Sequence, residues 1–442
     1  MKKKASPKEP EGITGITVSG FKSISREQSI EIRPLTLLAG ANSSGKTSMM
    51  QPLLLLKQTL EAPYDPGALL LDGPHVKIPS VDQLFSGISK GEHAVRFHVG
   101  IREEYNARLT TYFKKRTGEG LEVEKMAFVD VEGESTIFRL NMEHEAIISA
   151  LPSSLKDWYK KLKDKPKFAI ERQRCFLEVV SKTMPGYAHF SLTPNANIPF
   201  IFYIRDLIYI PENRGIPEPA YTTTPLGTTI PGIFEKYFAS IIVQWQREKN
   251  KDKVEKLSND LERLGLTWKI IAKPIGDTKV ELLVGRLPRA VRGGARDMVN
   301  IALVGSGVPK VLPVLVALQV AEPGQIVYLE EPELDLHPRA QYAMAEVLAD
   351  AAKRGVRVVV ETHSSLLLLG VQTLVAKAEG KLSPEKVKLH WFKRGKDGST
   401  EITSADLDEA GAFGDWPEDF ADVSLKAESR YLDAAGARLK GR

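Results

Sequence analysis

Gly40-Ala41-Asn42-Ser43-Ser44-Gly45-Lys46-Thr47 fills every fixed position of the phosphate-loop pattern G-x-x-x-x-G-K-[ST]. The flanks suit it. Ile30 through Ala39 reads as an apolar strand entering the loop, and Ser48 through Lys57 as a helix leaving it. The two glycines let the backbone curl, so that successive N–H groups and a helix N-terminus face one phosphate group. On that reading Gly40, Ala41, Asn42, Ser43, Ser44, Gly45 and Ser48 cradle a nucleotide, Lys46 reaches its outer phosphates and Thr47 takes Mg²⁺. Pro52 is expected to kink the following helix or to remove one of its backbone hydrogen bonds.

A second motif completes the chemistry. Ile326-Val-Tyr-Leu-Glu-Glu-Pro332 is a short apolar strand ending in two adjacent carboxylates and a proline turn. A phosphate loop needs one acid at a neighbouring strand end for the metal's water shell and a second to orient or deprotonate the attacking water. Glu330 suits the first task and Glu331 the second. A third apolar strand, Val356 through Val360, runs into Glu361-Thr-His-Ser364, placing His363 beside the other two motifs if the sheet is parallel. There His363 is a candidate for contact with the γ-phosphate or the attacking water. Gln83, in Val81-Asp-Gln-Leu-Phe85, is a candidate γ-phosphate and metal sensor, although a loop glutamine needs no such explanation.

Composition bounds the rest. At 442 residues, 42% hydrophobic and 26% charged, the chain can bury a large core as one domain with insertions or as two to three domains. Apolar runs such as Val311 through Leu318 are too short to cross a bilayer, so no membrane span is expected. Met1 through Pro10 is basic but leads into Pro and Glu, which suits a disordered tail and not a signal peptide. A single cysteine, Cys175, excludes an internal disulfide and fits a reducing cytoplasm. The net charge of +5 permits nucleic acid as a partner without arguing for it.

Residues 13 to 37 alternate as strands before the loop, and residues 105 to 200 read as an insertion of mixed strand and helix. Within it Lys156, Lys160, Lys161, Lys163, Lys165 and Lys167 interleave with Trp158, Tyr159 and Phe168. That mixture suits phosphate and base contact, or else an amphipathic helix with its aromatics in the core. His144-Glu145 lacks the second histidine of H-E-x-x-H because position 148 is Ile. Residues 211 to 221 are a proline-rich loop containing Arg214, and 233 to 264 has helical periodicity suited to two helices or a short arm. Asn250-Lys251-Asp252-Lys253 lacks the closing Asp of a guanine-reading motif. Arg286, Arg289, Arg292 and Arg296 form a loop able to touch phosphates or simply to be solvated.

Gly40 to Thr47, Leu329 to Pro338 and Val360 to Ser364 together resemble the ATP-binding-cassette (ABC) branch of phosphate-loop ATPases, near the prokaryotic SMC/RecF/OLD-like group. Gly20-Phe-Lys-Ser-Ile24 is similar to the opening strand of that group, and the segments from Trp391 to Gly395 and from Gly411 to Pro417 to the tail of a stand-alone subgroup. The resemblance implies an α/β head with a mixed, largely parallel sheet flanked by helices, plus an inserted α+β region and a short helical arm. It places an N-terminal ATPase lobe at 1–104, the insertion and arm at 105–266, and a C-terminal ATPase lobe at 267–442. It further implies ATP and Mg²⁺, a homodimer or higher oligomer, and closure of each nucleotide by a glycine-rich segment of the partner subunit. Here that segment is Asn300 to Pro313, with Ser306 and Gly307 presented to the γ-phosphate, although Pro309 and Lys310 stand where relatives carry serine and glutamine. Residues 364–442 are too few for a fused nuclease domain, so the resemblance implies a separate effector protein, a nuclease among the candidates. The function it implies is ATP hydrolysis coupled to DNA or to that effector in genome maintenance or anti-phage defence. The alternative is a nucleotide-gated scaffold with little turnover, which Pro309 and Lys310 favour. A transporter motor is disfavoured by the long insertion.

Overall fold

Arg33-Pro34 divides what reads as one strand before the loop into two strands belonging to different sheets. In the computed structural model β1 (Ile13–Ser19) pairs antiparallel with β2 (Gln28–Glu31), and β3 (Leu35–Gly40) then enters a second sheet. Proline has no N–H for a ladder, and Thr36 Oγ1 closes the turn, accepting from the Arg33 N–H at 2.9 Å and donating to the Arg33 carbonyl at 3.1 Å. The structure describes residues 11–88, 94–116, 118, 120–181, 197–214, 217–224, 226–227, 230–289, 296–377, 382–414, 429–434 and 438. Residues 1–10, Arg292 and residues 415–417, singled out above, lie outside them.

Helix α1 (Lys46–Glu61) follows the loop and continues past Pro52, because Leu53 through Leu56 are all buried and hold the helix to the core. The strands β4 (Arg96–Glu103), β5 (Arg108–Arg116), β6 (Gly120–Val129) and β7 (Ser135–Arg139) complete an antiparallel sheet of order β2-β1-β4-β5-β6-β7. Residue 104 therefore falls in a hairpin turn inside one sheet. Helices α2 (His144–Ala150) and α3 (Ser153–Lys161), the hairpin of β8 (Phe168–Gln173) and β9 (Phe176–Ser181), and α4 (Asn197–Asp206) come next. Tyr159 and Phe168 are buried and pack against the His144 ring, leaving neighbouring lysines to solvent. The amphipathic reading of that segment describes its core-facing side.

The second half adds β10 (Ile208–Ile210), β11 (Tyr221–Thr222), α5 (Phe238–Arg247) and α6 (Lys251–Arg263). The remaining elements are β12 (Ile270–Ile275), β13 (Lys279–Gly285), β14 (Met298–Asn300), α7 (Gly307–Val320), β15 (Ile326–Glu330), α8 (Pro338–Lys353), β16 (Arg357–Thr362), α9 (Ser365–Ala376), β17 (Val387–Arg394) and β18 (Thr400–Ala405). The central sheet has the order β10-β15-β16-β3-β17-β18, parallel except for β18. Strand periodicity sends alternate residues into two cores. Leu37, Leu329 and Val360 face a core shared with α5 through α9, while Leu38, Tyr328 and Val359 face one shared with α1, α4 and the antiparallel sheet. Helices α5 and α6 do not project as an arm. Their stripe of Ile241, Trp245, Leu257 and Leu261 is buried in the first core, which removes their apolar face from water. Among the described residues no helix is long and apolar enough to cross a membrane.

One buried polar residue of the central sheet makes the fold sensitive to acid. His390 on β17 is 1% exposed, with Nδ1 2.7 Å from Ser404 Oγ and Nε2 2.8 Å from the Glu31 carbonyl. Burial lowers its pKa to about 4. A depressed histidine contributes stability that is full above its unfolded pKa near 6.5 and is lost as the pH falls toward the folded value. From pH 7 to pH 5 this group alone is expected to remove about 2 kcal/mol of unfolding free energy. Urea titrations of the parent and of His390→Gln at both pH values check it, the variant losing less than the parent.

Candidate functional site

The strand order sets the site. Strand β16 lies between β3 and β15 and is parallel to both, so the phosphate loop, Glu330-Glu331 and His363 leave the sheet at one edge. The loop's backbone requires its glycines. Gly40 and Gly45 have φ of 147° and 104°, and an added Cβ would lie 2.2 Å from the Phe392 carbonyl oxygen and 2.1 Å from Thr400 Oγ1, respectively. Ser43 between them is left-handed as well, at φ 60°.

Lys46, Glu331 and His363 converge. Lys46 Nζ donates to the carbonyls of Gly40 and Ala41 at 3.1 and 3.2 Å and lies 3.0 Å from His363 Nε2. Burial lowers the pKa of Lys46, and burial together with the Lys46 charge lowers that of His363. A neutral imidazole accepts from Lys46 at Nε2, so the 3.2 Å approach of that nitrogen to Glu331 Oε1 is proximity and not an ion pair. Burial raises the pKa of Glu331, a direction suited to a group that must exchange a proton near neutrality. Glu331 also has a left-handed φ of 42°, a strain of order 1–3 kcal/mol that surrounding contacts must sustain.

The second cluster contains an acid that sequence reasoning passed over. Thr47 Oγ1 donates to Glu361 Oε2 at 2.9 Å, and the Tyr328 hydroxyl, fully buried, is 2.5 Å from Glu361 Oε1 and 3.1 Å from Glu330 Oε1. Glu361 is the register partner of Glu330 across the parallel pair, so the two side chains share a face. Burial and then Glu330 push Glu361 up to about 8, and burial raises Glu330 too. Two crowded carboxyl groups beside a threonine hydroxyl are a donor set for a small hard cation, whose charge would relieve their mutual repulsion. No cluster of three or more acidic, His or Cys side chains suited to a metal occurs among the described residues. A Mg²⁺ ion here would therefore share its coordination with nucleotide phosphates and water, as that ion commonly does. In the sequence Glu361 was visible only as part of Glu361-Thr-His, and its pairing with Glu330 depends on strand register.

A cavity of about 380 Å³ opens over the loop, lined by Ser43, Ser44, Gly45, Lys46, Thr47 and Ser48 with Lys22, Ser23 and Arg394 from other elements. Ser44 Oγ is buried there without a hydrogen-bond partner, as a polar cradle for phosphate would leave it. Lys22 and Arg394 were not identified as site residues from the sequence; long-range folding brings their charges to the loop. Gln83 is exposed on the 3-10 turn Val81–Leu84 and is not among the residues lining that cavity. Ser306 and Gly307 also lie outside the lining, at the start of α7. Pro309 falls in the first turn of α7, where a missing N–H is tolerated, and the Lys310 ammonium pairs with Asp335.

Residues 218–369 match the family profile described as "AAA domain, putative AbiEii toxin, Type IV TA system". The chain is 32% identical over 130 residues to the hemin import ATP-binding protein HmuV of Pseudomonas aeruginosa, covering 27% of this chain. This chain spans about half, 47%, of the length of that curated relative. Among solved structures it is similar to an Smc head bound to the C-winged helix domain of ScpA, with TM-score 0.47, 13% identity, and coverage of 90% of this chain and 99% of that one. It is also similar to the SMC head domain of Thermotoga maritima, with TM-score 0.38, 12% identity, and coverage of 90% and 100%.

Replacing Lys46 by Ala is expected to weaken binding of a fluorescent ATP analogue by roughly 10- to 100-fold, the worth of a charge-assisted contact. An unchanged affinity would remove the nucleotide reading of the loop. Glu361→Gln is expected to weaken Mn²⁺ binding in the presence of a nonhydrolysable ATP analogue by roughly 10- to 100-fold, measured by electron paramagnetic resonance.

Proposed function

Taking the chain as an ABC-type phosphate-loop ATPase, we propose that it binds Mg²⁺·ATP in the cavity over Gly40–Ser48 and hydrolyses it with Glu331 as general base. The observation that carries this is the convergence of Lys46, Glu331 and His363 within 3.2 Å contacts at one sheet edge. Backbone N–H groups of the loop and the α1 N-terminus bind the phosphates, and Lys46 exchanges its carbonyl partners for phosphate oxygens. Glu331 takes a proton from the attacking water, and neutral His363 holds the terminal phosphate or that water in line. Thr47, Glu330 and Glu361 would hold the cation, which supplies charge neutralisation to the phosphates when bound.

The exposed Gly305 and Ser306 before the half-buried Gly307 at the start of α7 support a composite site, in which a second copy of the chain closes over the nucleotide. Nucleotide-driven closure of a dimer or higher oligomer would then pass to DNA or to a separate effector protein, in genome maintenance or phage defence. The toxin description of the matched family profile agrees with a defence setting. The pairing of Lys310 with Asp335 favours the second reading, a nucleotide-gated scaffold, because that ammonium is engaged within its own subunit. Turnover separates the two. Glu331→Gln is expected to lower kcat by roughly 10²- to 10⁴-fold while ATP affinity survives. Phosphate release by parent and variant, with and without duplex DNA, measures it; ATP binding by both with turnover by neither would establish the scaffold.

A further inference from the structure

The base sits on a strained turn, and a residue outside the three motifs holds that turn. Arg214 lies in the proline-rich segment between β10 and β11, far in sequence from the strand ends that form the site, and is only 4% exposed. Its Nη2 donates to the Glu331 carbonyl at 2.5 Å and approaches the Glu330 carbonyl at 3.3 Å. Two residues earlier the Glu212 N–H donates to Glu330 Oε2 at 3.1 Å. One short segment thus grips the main chain of both acids and the side chain of one. Glu331 is also held across the sheet, its N–H donating to the Glu361 carbonyl at 2.9 Å, and within the turn, its carbonyl accepting from the Leu334 N–H at 3.0 Å. A left-handed non-glycine residue persists only where its surroundings over-determine it, and Arg214 supplies a restraint that the turn itself does not contain.

Pro219, further along the chain, meets the residues before α7. Asn300 Nδ2 donates to the Pro219 carbonyl at 2.8 Å, and Asn300 Oδ1 accepts from the Ala302 N–H at 2.9 Å, capping the 3-10 turn Ile301–Leu303 that precedes Ser306 and Gly307. Arg214 Nε and Nη1 are buried without hydrogen-bond partners, as are Glu235 Oε2 and Glu333 Oε2. Burying guanidinium hydrogens unpaired is costly, and a group that served only packing would be as well served by an apolar side chain. We propose that Arg214 is a positioning residue for hydrolysis, which fixes the Glu330-Glu331 turn. The assignment rests on the hydrolytic reading of Glu331. Arg214 donates to main-chain carbonyls of the turn and, among the described residues, makes no hydrogen bond to the phosphate loop, so its loss falls on turnover more than on nucleotide affinity.

Arg214→Gln and Arg214→Lys test this against the parent and Glu331→Gln, with kcat, the Kd of a fluorescent ATP analogue, nucleotide-binding stoichiometry and thermal midpoint measured on each. Displacement of a catalytic group by about 1 Å costs roughly 100-fold. Arg214→Gln is expected to lower kcat per nucleotide-binding site by roughly 10- to 100-fold with Kd within about threefold of the parent, and Arg214→Lys to recover part of that loss. Should Arg214→Gln fail to fold, the lysine variant carries the test by the same kcat-against-Kd split. A folded variant at the parental rate, or one losing affinity as much as turnover, overturns the inference while leaving the hydrolytic reading intact. A parent without turnover, or one as fast as Glu331→Gln, overturns both.

Discussion

Parallel pairing of β16 between β3 and β15 is the constraint on which the molecule depends. Parallel strands end at one edge, so the loop after Gly40, the acids after Leu329 and the histidine after Thr362 have no alternative to meeting there. The register is held by apolar residues that leave the sheet alternately into two cores, and a slip of one residue would exchange Leu329 with Glu330 between a core and the site. The convergence of the three motifs at one edge and the hydrophobic packing are therefore two consequences of the same pairing.

That edge keeps several ionisable groups away from water. Glu330, Glu331 and Glu361 are raised by burial, while Lys46 and His363 are lowered by it. Each is less charged than it would be in solvent. Lys46 is satisfied by loop carbonyls and the imidazole, and the carboxyl groups by Tyr328, Thr47 and the Glu212 N–H. Phosphate and a divalent cation carry the charges that this arrangement complements, which gives a physical reason for ligand and fold to stabilise each other. Arg214 extends the same economy to the backbone, placing a buried cation against two carbonyls of the turn at Glu331.

Much of this was legible in the residues themselves. The loop, the adjacent acids and the histidine are local patterns, each with chemistry tied to spacing along a few residues, and the apolar runs before them identify strands. What was misread or left open shares a cause. Ile30 to Ala39 looked continuous because Arg33-Pro34 interrupts pairing without interrupting hydrophobicity. The sheet that the hairpins after residue 104 join was not legible, because nothing local says which sheet an antiparallel strand joins. Residues 233 to 264 read as two helices or a short arm, and the choice between them was open because an amphipathic stripe does not name the surface that will cover it.

By itself the sequence determined the phosphate loop, the order of the three motifs and the strand character before each, since dihedral preference and hydrophobic period are properties of short segments. Only the tertiary structure decided that Glu361 stands with Glu330, that Gln83 stays outside the cavity, that Lys22 and Arg394 enter it, and that Arg214 holds the turn at Glu331. Those facts depend on which strands are neighbours and in what register. Such information resides in the joint burial of residues hundreds of positions apart, not in any window of the chain.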